Sequence, residues 1–134
     1  MLKLSVAPIP TMPPVTEEII AEITQSLVTE LNPEEIVLFG SYAWGQPNEY
    51  SDIDLCVIVP DGIAGFNRVE WGIRGLNAVF DIYANVDIVV MPRSLMDSFK
   101  KVPASLHRKI ADQGILLYGS GKTYSGHLLA QKST

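Results

Sequence analysis

A chain of 134 residues, 47% hydrophobic, carries enough apolar material for one packed domain, though a small one in which a patch left for a partner is expected. Its net charge of −5 excludes a grip on long nucleic acid by charge alone, which needs a Lys/Arg surface, but not a single nucleotide held through metal ions. The lone cysteine, Cys56, excludes an internal disulfide, no apolar run reaches the ~18 residues of a membrane span, and prolines interrupt any signal-like start, so a soluble cytoplasmic protein is expected.

Residues 1–15, with four prolines, predict an extended N-terminal arm. Thr16 is a suitable N-cap, Glu17 and Glu18 suit the first turn of a helix, and Ile20, Ile23, Leu27 and Leu31 repeat at helical spacing until Asn32-Pro33. "EIVLFGS" (35–41) predicts a short buried strand running into a glycine, and "YAWGQPNEYS" a turn or short helix. "DIDLCVIVP" (52–60) predicts a second strand closed by the turn signal Pro60-Asp61-Gly62. Over 64–83, Val69, Ile73, Leu76, Val79 and Tyr83 fall at helical spacing, with Gly72 and Gly75 against it. "VDIVVM" (86–91) predicts a third strand, "SLMDSFKK" and "PASLHRKIADQG" two short helices, "ILLYG" (115–119) a last strand, and 120–134 a flexible tail. The domain is therefore expected over 16–119, as an α/β (α+β) fold.

The chemistry concentrates in "GSYAWGQPNEYSDIDLCVIV". Strand alternation puts Asp52 and Asp54 on one face, and Ile53, Leu55, Val57 and Val59 on the other, under the helices. Two carboxylates ~4–5 Å apart repel by about 4 kcal/mol at an effective dielectric of 20, and residues 34–60 contain no basic side chain to relieve this. A divalent cation would; oxygen-only donors favour Mg²⁺, with Mn²⁺ the alternative. Asp87, opening the third strand with Val89 and Met91 on its face, is the candidate third carboxylate if the two strands are neighbours. Such a set suits two ions ~3.5–4 Å apart in phosphoryl or nucleotidyl transfer. Against this, an Asp at a strand mouth also serves as plain turn chemistry. Gly40-Ser41 offers close backbone approach, amide donors and a hydroxyl for a phosphate, or again a plain turn.

Together, Gly40-Ser41, ten residues, then Asp52-Ile53-Asp54 resemble the signature of the DNA polymerase beta-like nucleotidyltransferase superfamily. At this length the chain looks most like the minimal nucleotidyltransferase (MNT) group, often paired with HEPN proteins. The likeness covers 16–118 in layout, including the closing "IADQGILLYG". It implies a mixed sheet of about four strands backed by helices, and ATP or another NTP with its phosphates on Gly40, Ser41 and Ser51. It implies Mg²⁺ on Asp52, Asp54 and Asp87, with Asp87 as general base. The implied activity is AMP transfer to a tyrosine of a HEPN-type toxin, the chain acting as antitoxin. Neutralisation of the toxin by binding alone is the alternative. Transfer to a small molecule is a weaker third reading, since such enzymes usually carry a further substrate domain. Many relatives have arginine before the second glycine of the turn; here Trp44 precedes Gly45, and a cation near the phosphates is lost.

The remaining features are read as ordinary. "GSGKT" (119–123) lacks the first glycine of a P-loop, Leu116 standing in its place. His107 is expected on an exposed helix surface and His127 in the tail. Phe66 is expected in the core, with Trp71 either core or surface. Trp44 and Tyr50 are candidates for a partner surface. Lys100, Lys101, Arg108 and Lys109 form a modest basic cluster, read as a solvated helix face.

Overall fold

The structure is a computed structural model and describes residues 15–119 and 122–123. The predicted arm, Val15 apart, and the predicted tail, Lys122 and Thr123 apart, lie outside the described residues, as does His127.

Helix α1 (Glu17–Leu31) begins where the Thr16 side chain accepts a hydrogen bond from the Ile19 amide at 3.2 Å. It stops at Asn32, which takes the left-handed conformation (φ 45°) and returns its N–H to Val28 O ahead of Pro33. The periodic residues Ile20, Ile23, Leu27 and Leu31 are all buried. Thr24, buried among them, satisfies its hydroxyl by donating to Ile20 O at 2.8 Å. Each fully buried Ile or Leu contributes about 1.5–3 kcal/mol, so this face anchors the helix.

Strand β1 (Glu35–Phe39), helix α2 (Ser41–Trp44) and strand β2 (Ile53–Val59) follow. Then come α3 (Arg68–Ala78), β3 (Val86–Pro92), α4 (Arg93–Phe99), α5 (Leu106–Gln113), β4 (Ile115–Gly119) and β5 (Lys122–Thr123). The sheet order is β3-β2-β1-β4-β5. β1 runs antiparallel to β2 and β4, while β2 and β3, joined across α3, are parallel, so the sheet is mixed. β5 is a two-residue edge strand antiparallel to β4, pairing Tyr118 with Thr123 and Gly119 with Lys122.

One sheet face carries Ile53, Leu55, Val57 and Val59, all fully buried in a cluster with the α1 residues. The opposite face carries Phe39, Cys56, Ile58 and Met91 beneath Met96 of α4 and Ile110 of α5. Cys56 behaves as a small core hydrophobe, its thiol pushed up to about 12 by burial first and by the Glu35 charge second. Arg93 ties α4 to the start of β1 through Glu34, at 2.8 Å, and Glu35.

The helical spacing over 64–83 is realised only in α3, Arg68–Ala78. The helix is shorter, opening where Asn67 accepts from the Glu70 amide. Of the apolar set, Val79 is buried, but Val69, Ile73, Leu76 and Tyr83 face solvent. The inward face is built on Gly75, where an added Cβ would lie 3.1 Å from Ile88 Cδ1 and 3.3 Å from Leu27 Cδ2. The missing side chain lets α3 approach β3 and α1 closely. Periodicity reported a real apolar stripe but not which side of the helix the domain covers.

Candidate active site

The sheet register brings the carboxylates together. Phe39, Asp54 and Asp87 are cross-strand partners on β1, β2 and β3, so their side chains share one face. Two residues further along come Val37, Cys56 and Val89, then Glu35, Ile58 and Met91. Met96 and Ile110 pack against Cys56, Ile58 and Met91 in these lower rows. Asp52, just before β2, precedes Asp54 by two and projects to the same side. Asp54 is half-buried and Asp52 and Asp87 are exposed.

Asp54 shows the electrostatic result. Its carboxyl is raised above the ordinary carboxylate range by partial burial first, then by the Asp87 charge, then by Asp52. A carboxyl raised on folding binds its proton more readily in the native state. Its contribution to stability is therefore complete below the unfolded value, ~3.9, and is lost as pH rises through the higher folded value. In divalent-free buffer, the wild type is expected to lose stability relative to Asp54→Asn over that window, followed by urea midpoints at a series of pH values.

Gly40 couples this group to the turn. Its backbone sits at φ 77°, ψ −154°, a conformation almost restricted to glycine, and a Cβ there would overlap Asp54 Oδ2. The Asp54 carboxylate thus lies directly against the Gly40-Ser41 turn. Ser41 opens α2, its hydroxyl making no hydrogen bond among the described residues. Ser51 is differently engaged: its Oγ accepts from the Asn48 amide at 2.9 Å and holds the loop entering β2.

As the side chains stand, no three His, Cys, Asp or Glu residues among those described are set to hold one ion. The donor set nevertheless fits a hard divalent cation: oxygen donors only, on adjacent positions, each charge raising Asp54.

The tertiary structure also supplies a cation that segment 34–60 lacks. Lys109, from α5, places its Nζ 4.7 Å from the centre of the Trp44 ring. Trp44 itself packs on Phe39, ring centres 6.2 Å apart, on the carboxylate side of the sheet. No local sequence signal links residue 109 to residue 44. Of the other basic residues, Lys100 pairs with Asp97 at 3.0 Å and Arg108 with Asp112 at 2.8 Å. His107 is half-buried against Phe99. Trp71 is half-buried on Phe66, with Arg74 stacked 4.5 Å over its ring. Tyr50 is exposed.

Among the described residues, no helix is long and apolar enough to cross a membrane. The sequence profile described as polymerase beta, nucleotidyltransferase matches residues 21–123. A candidate protein adenylyltransferase of Methanocaldococcus jannaschii is 33% identical over 85 residues, covering 63% of this chain and 78% of the relative. A crystal structure of a candidate nucleotidyltransferase from Sulfolobus solfataricus superposes with a TM-score of 0.53 at 23% identity, over 82% of this chain and 86% of that one, a likeness of fold. A toxin–antitoxin complex with AMP-PNP also aligns, at TM-score 0.46 and 23% identity, over 89% of this chain and 84% of that one, too slight a likeness to argue from.

Proposed function

Because the chain belongs to the polymerase beta nucleotidyltransferase family, we propose that it moves AMP from ATP to a hydroxyl of a protein partner. We place that hydroxyl on a tyrosine of a HEPN-type toxin, which the transfer silences. The observation that carries the catalytic reading is the seating of the Asp54 carboxylate against Gly40, with Asp87 directly across the strand pair. The protein acceptor is supported by the M. jannaschii relative, and the toxin is the acceptor that the resemblance to the minimal nucleotidyltransferases implies.

Asp52, Asp54 and Asp87 would hold Mg²⁺, with Mn²⁺ the alternative. Bound there, the ion would neutralise charge on the attacking and leaving oxygens. The Gly40-Ser41 turn receives the triphosphate, its leading amides and the Ser41 hydroxyl donating to phosphate oxygens. Asp87 takes the proton of the acceptor hydroxyl. The acceptor oxygen forms a bond to the α-phosphorus, the bond from that phosphorus to the bridging oxygen breaks, and pyrophosphate leaves with the electron pair. The test is transfer of labelled ATP, with Mg²⁺, to the protein encoded by the neighbouring reading frame. Label on that protein supports the reading; stable association without label replaces it with neutralisation by contact.

Lys109 has a place in this reading. Standing over Trp44 on the carboxylate side, it restores a positive charge behind the phosphate turn. Lys109→Ala should raise the KM for ATP several-fold, on the order of 1 kcal/mol, with kcat little changed, the signature of uniform binding. Lys109→Arg should keep most of the affinity.

A further inference from the structure

The loop that leads into the carboxylates carries a hydroxyl of its own. Tyr50 stands two residues before Asp52, so its Cα lies within ~7 Å of that of Asp52. It is 76% exposed, and its hydroxyl has no partner among the described residues. The backbone beneath it is fixed. The Tyr50 amide donates to Asn48 Oδ1 at 2.8 Å, the Asn48 amide to Ser51 Oγ at 2.9 Å, and the Ser51 amide to Asn48 O at 3.0 Å. With the turn closed by these bonds, the side chain has only its two torsions left to set. The other described tyrosines are placed less well. Tyr42 of α2 is half-buried against the core. Tyr118 of β4 is half-buried and pairs with Ile36, three residues along β1 from Phe39. Tyr83 is 57% exposed but stands four residues ahead of Asp87.

We propose that Tyr50 is a self-modification site: the chain transfers AMP from ATP to the Tyr50 hydroxyl at its own carboxylate cluster. The proposal rests on the AMP-transfer reading given above and adds to it an acceptor that belongs to the chain itself. The Tyr50 oxygen forms a bond to the α-phosphorus, and the bond from that phosphorus to the bridging oxygen breaks. Pyrophosphate leaves with the electron pair, and the phenolic proton passes to Asp87. The product is a phosphodiester between Tyr50 and AMP. The short tether holds the hydroxyl beside the reacting groups at high effective concentration, so this transfer needs no docked partner. One such acceptor per chain limits the uptake to one AMP.

The test is the intact mass of the full chain, alone, before and after incubation with ATP and Mg²⁺, with peptide mapping of the product. A parallel reaction also contains the protein encoded by the neighbouring reading frame. The expected result is one adenylyl group per chain, mapped to Tyr50. It should be lost in Tyr50→Phe and in Asp52→Asn with Asp54→Asn, and kept in Tyr83→Phe, with circular dichroism to verify that the variants fold. Because the acceptor is tethered, the first-order rate constant should hold over a roughly tenfold dilution of the chain. An adduct that maps to another residue, or survives Tyr50→Phe, overturns the assignment. A rate proportional to chain concentration overturns transfer within one chain. A chain that stays unmodified while it labels the neighbouring protein overturns this proposal and leaves the transfer reading standing. No adenylyl group on either protein removes the transfer reading and this proposal with it.

Discussion

Asp52→Asn combined with Asp54→Asn should abolish labelled transfer to the partner protein while the fold persists. The expected loss is roughly 10³-fold or more, about 4 kcal/mol in the barrier, because the two groups proposed to hold the cation would go together. The same substitutions remove the like charges that raise Asp54, so thermal stability without divalent ions should be unchanged or higher. That combination of outcomes distinguishes a functional cluster from a structural one: carboxylates serving the fold would lower the melting temperature when removed. Binding to the partner offers a third readout. Retained binding with lost label assigns the carboxylates to chemistry. Transfer that survives in the double variant would sink the assignment of the ion site.

Gly40→Ala should impair both stability and transfer, for two reasons that can be separated. The backbone at φ 77°, ψ −154° is strained for any L side chain, costing about 1–3 kcal/mol. The new methyl would also overlap the Asp54 carboxylate and force it from the turn. Displacing a reacting group by about 1 Å can lower turnover on the order of 10²-fold. Gly62→Ala is the control. Gly62 also has φ 77°, but a Cβ there meets nothing within 4 Å. It should lose stability through backbone strain alone and keep full transfer. If Gly40→Ala behaves like Gly62→Ala, with stability reduced and transfer intact, the contact between turn and carboxylate has no functional weight.

Much of the architecture was legible because it rests on local rules. The Thr16 cap, the Asn32-Pro33 stop and the continuous apolar run that makes β2 a buried strand each follow from residues within a few positions of one another. So does the placement of Asp52 and Asp54 on the face opposite Ile53 and Leu55, since strand alternation allows no other arrangement. The α3 segment is less legible for a related reason. Its apolar spacing is as regular as that of α1, yet a helix is oriented by what it can approach. Gly72 and Gly75 allow a closer approach to β3 than Ile73 or Leu76 would.

The sequence by itself determined the order of the elements from α1 to β4, the apolar face of β2 opposite Asp52 and Asp54, and the presence of three carboxylates at two strand mouths together with a Gly-Ser turn. It also carries the match to the polymerase beta nucleotidyltransferase family over residues 21–123. Only the tertiary structure decided that Asp87 stands across from Asp54, because strand neighbours are set by long-range register, which no spacing along the chain encodes. Only the fold carried Lys109 to Trp44 across 65 positions of sequence, and only the fold turned the α3 stripe to solvent. In each case the deciding contact joins residues far apart in the chain, and its energy arises from packing that exists only once the sheet has formed.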